Sequence, residues 1–335
     1  MSALLSVEGL SVSYRRGGAA IRAVDAVDLA VPAGAMLGLV GESGCGKSTL
    51  ARAVMGVLPG NAWISGGSVR LSGEDLISMT EEQRRERRWS ELSFVPQTAM
   101  NALDPVYRLR DQMREILCVR GGLSTRSADQ RAAALFRSVG LDPVRLMDFP
   151  HQFSGGMRQR AAIAMALALN PKLVIADEPV TALDVIVQRQ VLDTIRGLGR
   201  DLGLSAIIVT HDISVITYLC SLTAVMYAGR IVEQGATEAL TRRPAHPYTM
   251  GLMNASPDLY EPVESLAPIE GAPPDLTDPP KGCRFAPRCL FALPACRETD
   301  PPSVAVAPGH SAACLRATEA GALRVAARKA STWTS

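Results

Sequence analysis

The feature that most constrains the fold is a glycine-rich stretch directly after a short apolar run. Residues 37–40 read Leu-Gly-Leu-Val, and residues 41–49 read Gly-Glu-Ser-Gly-Cys-Gly-Lys-Ser-Thr. This fits the pattern G-x-x-x-x-G-K-[ST], in which glycines let backbone N–H groups turn toward one anion. Apolar residues at helical spacing follow at 50–58. The sequence therefore predicts a strand, a phosphate-binding loop and a helix in that order, with a plain glycine turn before a helix as the alternative.

Several side chains of this stretch are candidates for binding a nucleotide. Lys47 is the predicted partner of the β- and γ-phosphates, and Ser48 is a predicted ligand of Mg²⁺. Tyr14 ends the predicted strand 4–13 and is a candidate for stacking on the base, although strand aromatics are more often packing residues. The remaining predicted contacts come from the loop and the start of its helix: Gly41, Ser43, Gly44, Cys45, Gly46 and Thr49.

Composition indicates a folded chain without a membrane span. The 335 residues are 47% hydrophobic, enough for one large domain with an appendage or for two domains. The longest apolar stretch, residues 161–169, is too short to cross a bilayer. The N-terminus lacks a cleavable signal, so we expect a cytoplasmic chain. A net charge of +2 favours neither a nucleic-acid surface nor an acidic partner.

Two buried strands are predicted to end in polar residues. The apolar run 172–176 precedes Asp177 and Glu178, and the run 206–210 precedes His211. Ligands collect at the carboxyl ends of strands in a doubly wound sheet. We therefore expect the two acids to serve a cation or a proton transfer, and His211 to act in the same site; a structural histidine is the alternative.

Two further segments contain candidate residues. Ser154, Gly155 and Gly156 precede an alanine-rich helix, which makes its N-terminus a second candidate anion site, with an ordinary serine N-cap as the alternative. Gln97 follows the short predicted strand 91–95. Beyond it, two helical patterns indicate an inserted helical subdomain at about 98–168; these are residues 106–119 and 127–139.

The composition changes after residue 243. Residues 244–280 hold nine prolines, which predicts a stiff extended linker, and residues 315–335 predict a short helix with a frayed end. Between them four cysteines follow the spacing C-x₅-C-x₆-C-x₁₇-C: Cys283, Cys289, Cys296 and Cys314. In a reducing compartment such a set indicates metal rather than disulfides. The spacing disfavours ordinary structural zinc and fits a 4Fe–4S cluster, with zinc or reduced thiols as alternatives.

Taken together, residues 4–243 resemble the ATPase subunits of ABC transporters, because the motifs of that family occur here in the family's order. Residues 41–48 resemble Walker A and residues 173–178 resemble Walker B. The other matches are the Q-loop at Gln97, the signature motif at 153–157, the D-loop at 181–184 and the H-loop at His211. The resemblance implies an α/β P-loop ATPase with an antiparallel β subdomain and a helical subdomain in residues 1–243, followed by a C-terminal extension in residues 244–335.

One subgroup, the oligopeptide and dipeptide importers, is similar in three further places. These are residues 149–160, the sequence His-Pro-Tyr-Thr at 246–249, and the cysteine tail. Two residues depart from the usual pattern: Met157 stands where most of the family has glutamine, and Thr98-Ala99 replaces Asp-Pro. Tails of the type Cys-x-Phe-x-Pro-Arg-Cys are associated in this subgroup with a 4Fe–4S cluster, and residues 283–289 match that pattern.

The resemblance also implies a role for each candidate residue. Lys47 and the loop amides hold the phosphates of ATP. Ser48 ligates Mg²⁺, Gln97 completes its shell or orients the attacking water, and Asp177 holds the ion through water. Glu178 is the implied general base, and His211 contacts the γ-phosphate. Ser154, Gly155 and Gly156 close over ATP bound to a partner cassette, and Asp184 of the D-loop is a further implied nucleotide-binding residue.

The partners implied by the resemblance are those of an importer at the cytoplasmic face of the membrane. They are a second, different ATPase subunit, two transmembrane permeases and an extracytoplasmic substrate-binding protein, without nucleic acid. A nickel or other small-solute importer is the nearest alternative. A soluble ABC ATPase that acts on DNA or ribosomes is the more distant one, and it is disfavoured by the single cassette and the absence of a basic tail.

Overall fold

A computed structural model describes residues 3–97, 102–254, 269–328 and 332. The chain divides into two compact units. The first unit comprises residues 1–4, 31–36 and 71–209, and the second comprises residues 5–30, 37–70 and 210–335. No helix in the described ranges is both long and apolar enough to cross a membrane.

Strands and helices alternate along much of the chain. The strands are β1 (Ala3–Arg16), β2 (Ala19–Pro32), β3 (Met36–Val40), β4 (Ala62–Leu71), β5 (Glu74–Asp75), β6 (Leu92–Val95), β7 (Leu173–Asp177), β8 (Ser205–Thr210), β9 (Leu222–Tyr227), β10 (Arg230–Ala236), β11 (Val304–Ala307) and β12 (His310–Ala312). The α-helices are α1 (Lys47–Met55), α2 (Glu81–Arg87), α3 (Leu109–Arg114), α4 (Thr125–Ser138), α5 (Gly155–Ala166), α6 (Val185–Leu202), α7 (Ile213–Leu219), α8 (Thr237–Arg242), α9 (Pro247–Asn254), α10 (Pro294–Glu298) and α11 (Ala320–Ala327). Short 3₁₀ turns cover Pro143–Met147, Pro150–Gln152, Ala286–Arg288 and Ala317–Glu319.

The first unit contains parallel strands that are buried on both faces. β7 pairs with β6 on one side and with β8 on the other, in a register that sets Leu173 opposite Leu92 and opposite Ser205. Every residue of β7 and β8 is buried, as continuous apolar runs predict for strands covered on both sides. The register brings the carboxyl ends of β7 and β8 to one edge of the sheet, which is where the candidate acids of the first unit lie.

In the second unit the phosphate-loop strand lies inside a mixed sheet. β3 pairs in parallel with β9, and β10 is antiparallel to β9. The hairpin of β1 and β2 turns at Gly17 and Gly18, whose φ angles of +57° and +86° favour glycine. This hairpin belongs to a second sheet, in which β4 lies next to β1. The predicted strands 4–13, 23–31 and 64–71 are therefore confirmed.

The C-terminal extension adds strands that the sequence did not predict. β12 pairs antiparallel with β10 and β11 pairs with β12, so residues 304–312 continue the sheet of the second unit. The prediction of a stiff extended linker over 244–280 is wrong at α9, which begins at Pro247, and residues 255–268 of that segment lie outside the described residues. A proline at the first helical position is tolerated because that N–H has no partner within the helix. The domain boundary at residue 243 stays a prediction.

Two helix predictions in the inserted subdomain need different corrections. The helix predicted over 106–119 begins only at Leu109 and continues beyond α3 as a π-helical turn, Glu115–Arg120. The helix predicted over 127–139 is α4, which begins at Thr125 after its N-cap Ser124. In α6 the apolar residues Val191, Ile195 and Leu198 are buried.

Candidate functional site

The phosphate loop requires glycine at two positions because other backbone segments pass very close to it. A Cβ atom at position 41 would lie 2.1 Å from the Met226 carbonyl oxygen. At position 46 it would lie 2.3 Å from the Ala23 carbonyl oxygen, and Gly46 also has φ +108° as the N-cap of α1. Residues with side chains do not fit at either position, so the strand, loop and helix predicted from the sequence are confirmed with a steric reason for the glycines.

Lys47 is the first residue of α1, and its side chain reaches back to the loop backbone. Its ammonium nitrogen donates hydrogen bonds to the carbonyl oxygens of Gly41 (2.7 Å) and Glu42 (2.8 Å). Only 5% of the residue is exposed. The positive charge is therefore held at the N-terminal end of α1, where the helix dipole also favours an anion. This is the arrangement expected for a lysine that binds phosphate.

Residues around the loop differ in what they offer a ligand. The Tyr14 hydroxyl lies 3.2 Å from the Thr49 hydroxyl, so the structure brings the candidate base-stacking residue to the first turns of α1. Ser43 and Gly44 are exposed. Cys45 is buried, and burial raises the pKa of its thiol above the usual value, which leaves a neutral side chain there. Ser48 is half-buried within the first turn of α1.

In the first unit, Asp177 and Glu178 lie at the end of β7. Asp177 is buried, and Glu178 has φ +51°, a conformation that is strained for a residue with a side chain. The Glu178 N–H donates to the Val209 carbonyl at 2.8 Å, and the Thr181 hydroxyl donates to the Glu178 carboxylate. The sequence indicated Thr181 only as the first residue of the D-loop, and its hydrogen bond to Glu178 was not predicted.

The Ser154 motif and Asp184 are both N-caps in the first unit. The Ser154 hydroxyl accepts from the Met157 N–H, and the Asp184 carboxylate accepts from the Val187 N–H at 2.9 Å. A Cβ at Gly156 would lie 2.2 Å from a methyl carbon of Val187, so close packing of α5 on α6 requires this glycine. The serine N-cap is confirmed, and contacts of Ser154, Gly155, Gly156 and Asp184 with a nucleotide stay predictions.

Gln97 and His211 both follow buried strands and both are exposed. Gln97 comes after β6 and is the last described residue before the gap at 98–101, so Thr98 and Ala99 lie outside the described residues. His211 comes directly after β8. Their positions after strand ends agree with the predicted Q-loop and H-loop, and their roles stay predictions.

The four cysteines of the extension lie around one small cavity. Cys283, Cys289, Cys296 and Cys314 line it together with His246. Burial raises the pKa of Cys289 to about 12 and that of Cys314 to about 11. Within the described ranges, no group of three or more His, Cys, Asp or Glu side chains is arranged to hold a metal ion. The predicted 4Fe–4S cluster therefore stays a prediction.

A buried carboxylate joins the beginning of the extension to its last strands. Glu233 in β10 accepts hydrogen bonds from the N–H groups of Ala245 (2.7 Å) and His246 (2.9 Å), and it pairs with His310 Nε2 at 2.7 Å. His246 Nδ1 accepts from the Tyr248 N–H at 3.0 Å, which requires that nitrogen to be unprotonated. Burial lowers the pKa of His246 to about 4. The folded chain thus holds a neutral imidazole at this point.

We expect the melting temperature to fall as the pH drops from about 6.5 to about 4 because His246 is neutral in the folded chain. In this window the unfolded chain, with an ordinary histidine pKa near 6.5, binds a proton that the folded chain excludes. The stabilisation is complete above the unfolded pKa and is lost toward the folded pKa. The full loss of stability is on the order of 3 kcal/mol.

His246→Asn keeps an acceptor but does not titrate, so its melting temperature should change less with pH. Equal pH slopes would show that His246 does not cause the effect.

Comparisons with known protein families agree with this geometry. The family model described as "ABC transporter" matches residues 24–181. The model described as "Oligopeptide/dipeptide transporter, C-terminal region" matches residues 232–296. These matches include the phosphate loop and the end of β7 in the first case, and the first three cysteines in the second.

Individual relatives are similar over almost their whole length. One is a protein of Sinorhizobium fredii called "Probable peptide ABC transporter ATP-binding protein", which is 44% identical over 320 residues, 94% of this chain and 96% of the relative. Another is the oligopeptide transport ATP-binding protein OppD of Escherichia coli, which is 40% identical over 95% of this chain and 94% of the relative. OppD of Bacillus subtilis is 40% identical over 92% and 87%.

Solved structures support the fold of the ATPase part. A dimeric ATP-binding cassette in a post-hydrolysis state, bound to ADP and Pi, is similar with a TM-score of 0.62 and 25% identity over 70% of this chain and 98% of that one. A second dimeric structure of a bacterial ABC transporter cassette gives a TM-score of 0.63. The chain therefore belongs to the ATP-binding proteins of ABC transporters, in the group that carries the oligopeptide/dipeptide transporter C-terminal region.

Proposed function

We propose that this chain hydrolyses ATP to power the import of oligopeptides or dipeptides across the cytoplasmic membrane. The observation that carries the proposal is that one chain joins a phosphate loop, with the Lys47 ammonium bound to its backbone, to a C-terminal region of the oligopeptide/dipeptide transporter type. Relatives whose names specify peptide transport match almost the whole chain, which supports the same substrate class. The chain acts at the cytoplasmic face of the membrane, attached to its permeases.

In this proposal the second unit binds the nucleotide phosphates. The Lys47 ammonium and the N–H groups at the start of α1 bind the β- and γ-phosphates, because they combine a buried positive charge with the helix dipole. Tyr14 stacks on the base, and its hydrogen bond to Thr49 fixes the ring beside α1. The close packing of Gly41 and Gly46 keeps the loop backbone in the conformation that binds the anion.

Mg²⁺ fits the donor set of the predicted ligands. Ser48, Gln97 and Asp177 supply a hydroxyl, an amide carbonyl and a carboxylate, which are the oxygen donors that this hard cation prefers. Asp177 is 1% exposed, and a buried carboxylate is stable only when a cation or hydrogen bonds compensate its charge. Bound Mg²⁺ neutralises charge on the phosphate oxygens during phosphoryl transfer.

Hydrolysis then depends on Glu178. Its carboxylate takes a proton from the attacking water, and the Thr181 hydroxyl and the positive-φ backbone hold that carboxylate in one orientation. His211 contacts the γ-phosphate and keeps the water aligned. These residues supply positioning and proton transfer, which are the main contributions of a protein to phosphoryl transfer.

The complete enzyme is a pair of cassettes on two permeases, with an extracytoplasmic binding protein. Ser154, Gly155, Gly156 and Asp184 of each cassette act on the nucleotide held by the other. In a heterodimer the partner is a second, different ATP-binding subunit. ATP hydrolysis separates the pair, and the permeases convert this motion into transport.

The experiment for this proposal compares the ATPase rate of the isolated chain with the rate after addition of the second cassette and the permeases. We expect a low rate for the monomer and an increase of at least about tenfold in the assembled complex, because each site needs residues from the partner. Full activity at concentrations where the chain is shown to be monomeric would contradict the paired site.

We further propose that the four cysteines of the extension bind a 4Fe–4S cluster. Their convergence on one cavity, 31 positions apart at the extremes, supports this proposal. Cys289 and Cys314 are protonated thiols without metal, so binding must release their protons, and the strength of iron–thiolate bonds offsets that cost. Such a cluster stabilises the extension and has no part in the transfer of phosphate.

Cys289→Ser should lose bound iron and leave ATP binding intact. Anaerobically purified wild-type protein should be brown and contain about four irons per chain, whereas the variant should contain fewer than about one. Cys118→Ser, a cysteine in the first unit, is the matched control and should keep the iron. Colourless wild-type protein, with one zinc or with no metal, would contradict the cluster.

A further inference from the structure

The phosphate loop is held from outside by two residues of the C-terminal part of the chain. The Arg288 guanidinium makes two parallel hydrogen bonds to the Glu42 carboxylate, at 2.7 and 3.0 Å. The Tyr248 hydroxyl accepts a hydrogen bond from the Glu42 N–H at 2.8 Å. Glu42 is the residue between Gly41 and Ser43, inside the phosphate-binding pattern itself. We call these contacts of Arg288 and Tyr248 on Glu42 the loop clamp.

Arg288 is held in place by further contacts. Arg288 also donates to the carbonyl oxygens of Ile269 (3.2 Å) and Glu270 (2.9 Å) and to the Tyr227 hydroxyl (3.2 Å). Its side chain is only 7% exposed, so solvent screens the pair with Glu42 weakly.

The Tyr248 ring is fully buried and packs against two other aromatic rings. Its centroid lies 4.6 Å from that of Tyr227 and 5.4 Å from that of Phe285. Phe285 belongs to the cysteine-bearing loop 283–289. The clamp therefore joins the extension rigidly to residue 42.

Glu42 connects the loop clamp to Lys47. The carbonyl oxygen of Glu42 accepts a hydrogen bond from the Lys47 ammonium at 2.8 Å. The side chain, the N–H and the C=O of Glu42 are thus all engaged, which fixes the orientation of both peptide bonds that flank it. The Arg288 charge also neutralises a carboxylate that would otherwise repel incoming phosphates. Loss of the clamp leaves a looser and more negative loop.

We propose that Arg288 and Tyr248 are positioning residues for nucleotide binding, through which the C-terminal extension sets the affinity of the phosphate loop for ATP. This inference rests on the proposed function and extends it, because it gives the extension a direct effect on the first step of the ATPase cycle. Neither residue reaches the reacting atoms in this scheme. Their effect passes through Glu42 and falls on binding more than on the chemical step.

The test measures the Kd for a fluorescent ATP analogue, and KM and kcat for ATP, with the full chain in its complex. Arg288→Met should raise Kd and KM about tenfold, equal to about 1.4 kcal/mol, and change kcat less than about twofold. Arg288→Lys keeps the charge without the bidentate geometry, so its Kd and KM should lie between those of Arg288→Met and wild type. Tyr248→Phe removes one oxygen from a buried ring and should raise Kd about threefold.

A matched control separates the clamp from general damage to the extension. Arg324→Met makes the same substitution in α11, where the guanidinium binds the Pro244 carbonyl at 3.1 Å, and should leave Kd unchanged. If Arg288→Met does not fold, as judged by circular dichroism, Tyr248→Phe decides the question. If the variants that fold have the Kd and KM of wild type, this inference is wrong and the proposed function is unaffected. A wild-type chain that binds no ATP would instead overturn the proposed function.

Discussion

Glu178→Gln is expected to lower the rate of ATP hydrolysis by more than about 100-fold and to change the Kd for ATP less than about threefold. Glutamine has the shape of glutamate and can accept the hydrogen bond from the Thr181 hydroxyl, but it cannot take a proton from water. The strained backbone at position 178 stays as it is, because the substitution changes only one side-chain atom. The variant should therefore bind ATP like wild type but hydrolyse it much more slowly.

Single-turnover hydrolysis and nucleotide titration on the assembled complex measure the two effects independently. Glu82→Gln, at an exposed position in the first turn of α2, makes the same change away from the site and should match wild type in both assays. We also expect the Glu178→Gln complex to keep ATP bound in a closed cassette pair. Parental turnover in this variant would show that another group is the base.

Lys47→Ala should weaken ATP binding by about 100-fold, equal to about 2.7 kcal/mol. The reason is the loss of a buried charge that sits at the N-terminal end of α1, where hydrogen bonds to an anion are strong. Lys47→Arg should restore little of the affinity, because the planar guanidinium does not fit a space where the ammonium lies 2.7 and 2.8 Å from two carbonyl oxygens.

Titration with a fluorescent nucleotide checks this effect, and the melting temperature without nucleotide checks the fold. Lys172→Ala is the control, since that lysine is exposed and pairs with Glu91 at 2.9 Å. It should bind ATP like wild type. ATP affinity in Lys47→Ala within about threefold of wild type would contradict the assignment of the loop.

The sequence predicted the parts of the fold that a short stretch of residues indicates. The phosphate loop could be read from its glycines because the close contacts at positions 41 and 46 exclude any other residue. The strand 172–176 could be read because a strand buried on both faces is uniformly apolar. The N-cap of α5 followed in the same way from Ser154 and the Met157 N–H three residues later. In each case the pattern lies within one short stretch of the chain, even where the contact that explains it, such as that of Gly41 with Met226, is distant in sequence.

The parts that sequence reasoning missed depend on distant partners. Strand β12 is three residues long and carries too little pattern to be predicted, and it exists because β10 offers an edge to pair with. The pair of Arg288 with Glu42 joins residues 246 positions apart. Arg288 lies in the motif at 283–289, but nothing in that motif indicates a partner so far along the chain.

The central claim is ATP-driven peptide import, and uptake of a labelled peptide into proteoliposomes tests it most directly. The vesicles hold this chain with its second cassette and the two permeases, with ATP on the side of the cassettes and the binding protein on the other. The account predicts uptake that requires ATP and Mg²⁺ and that is abolished by Glu178→Gln. Peptide uptake that continues without ATP, or ATP-driven uptake of nickel with none of peptide, would contradict it.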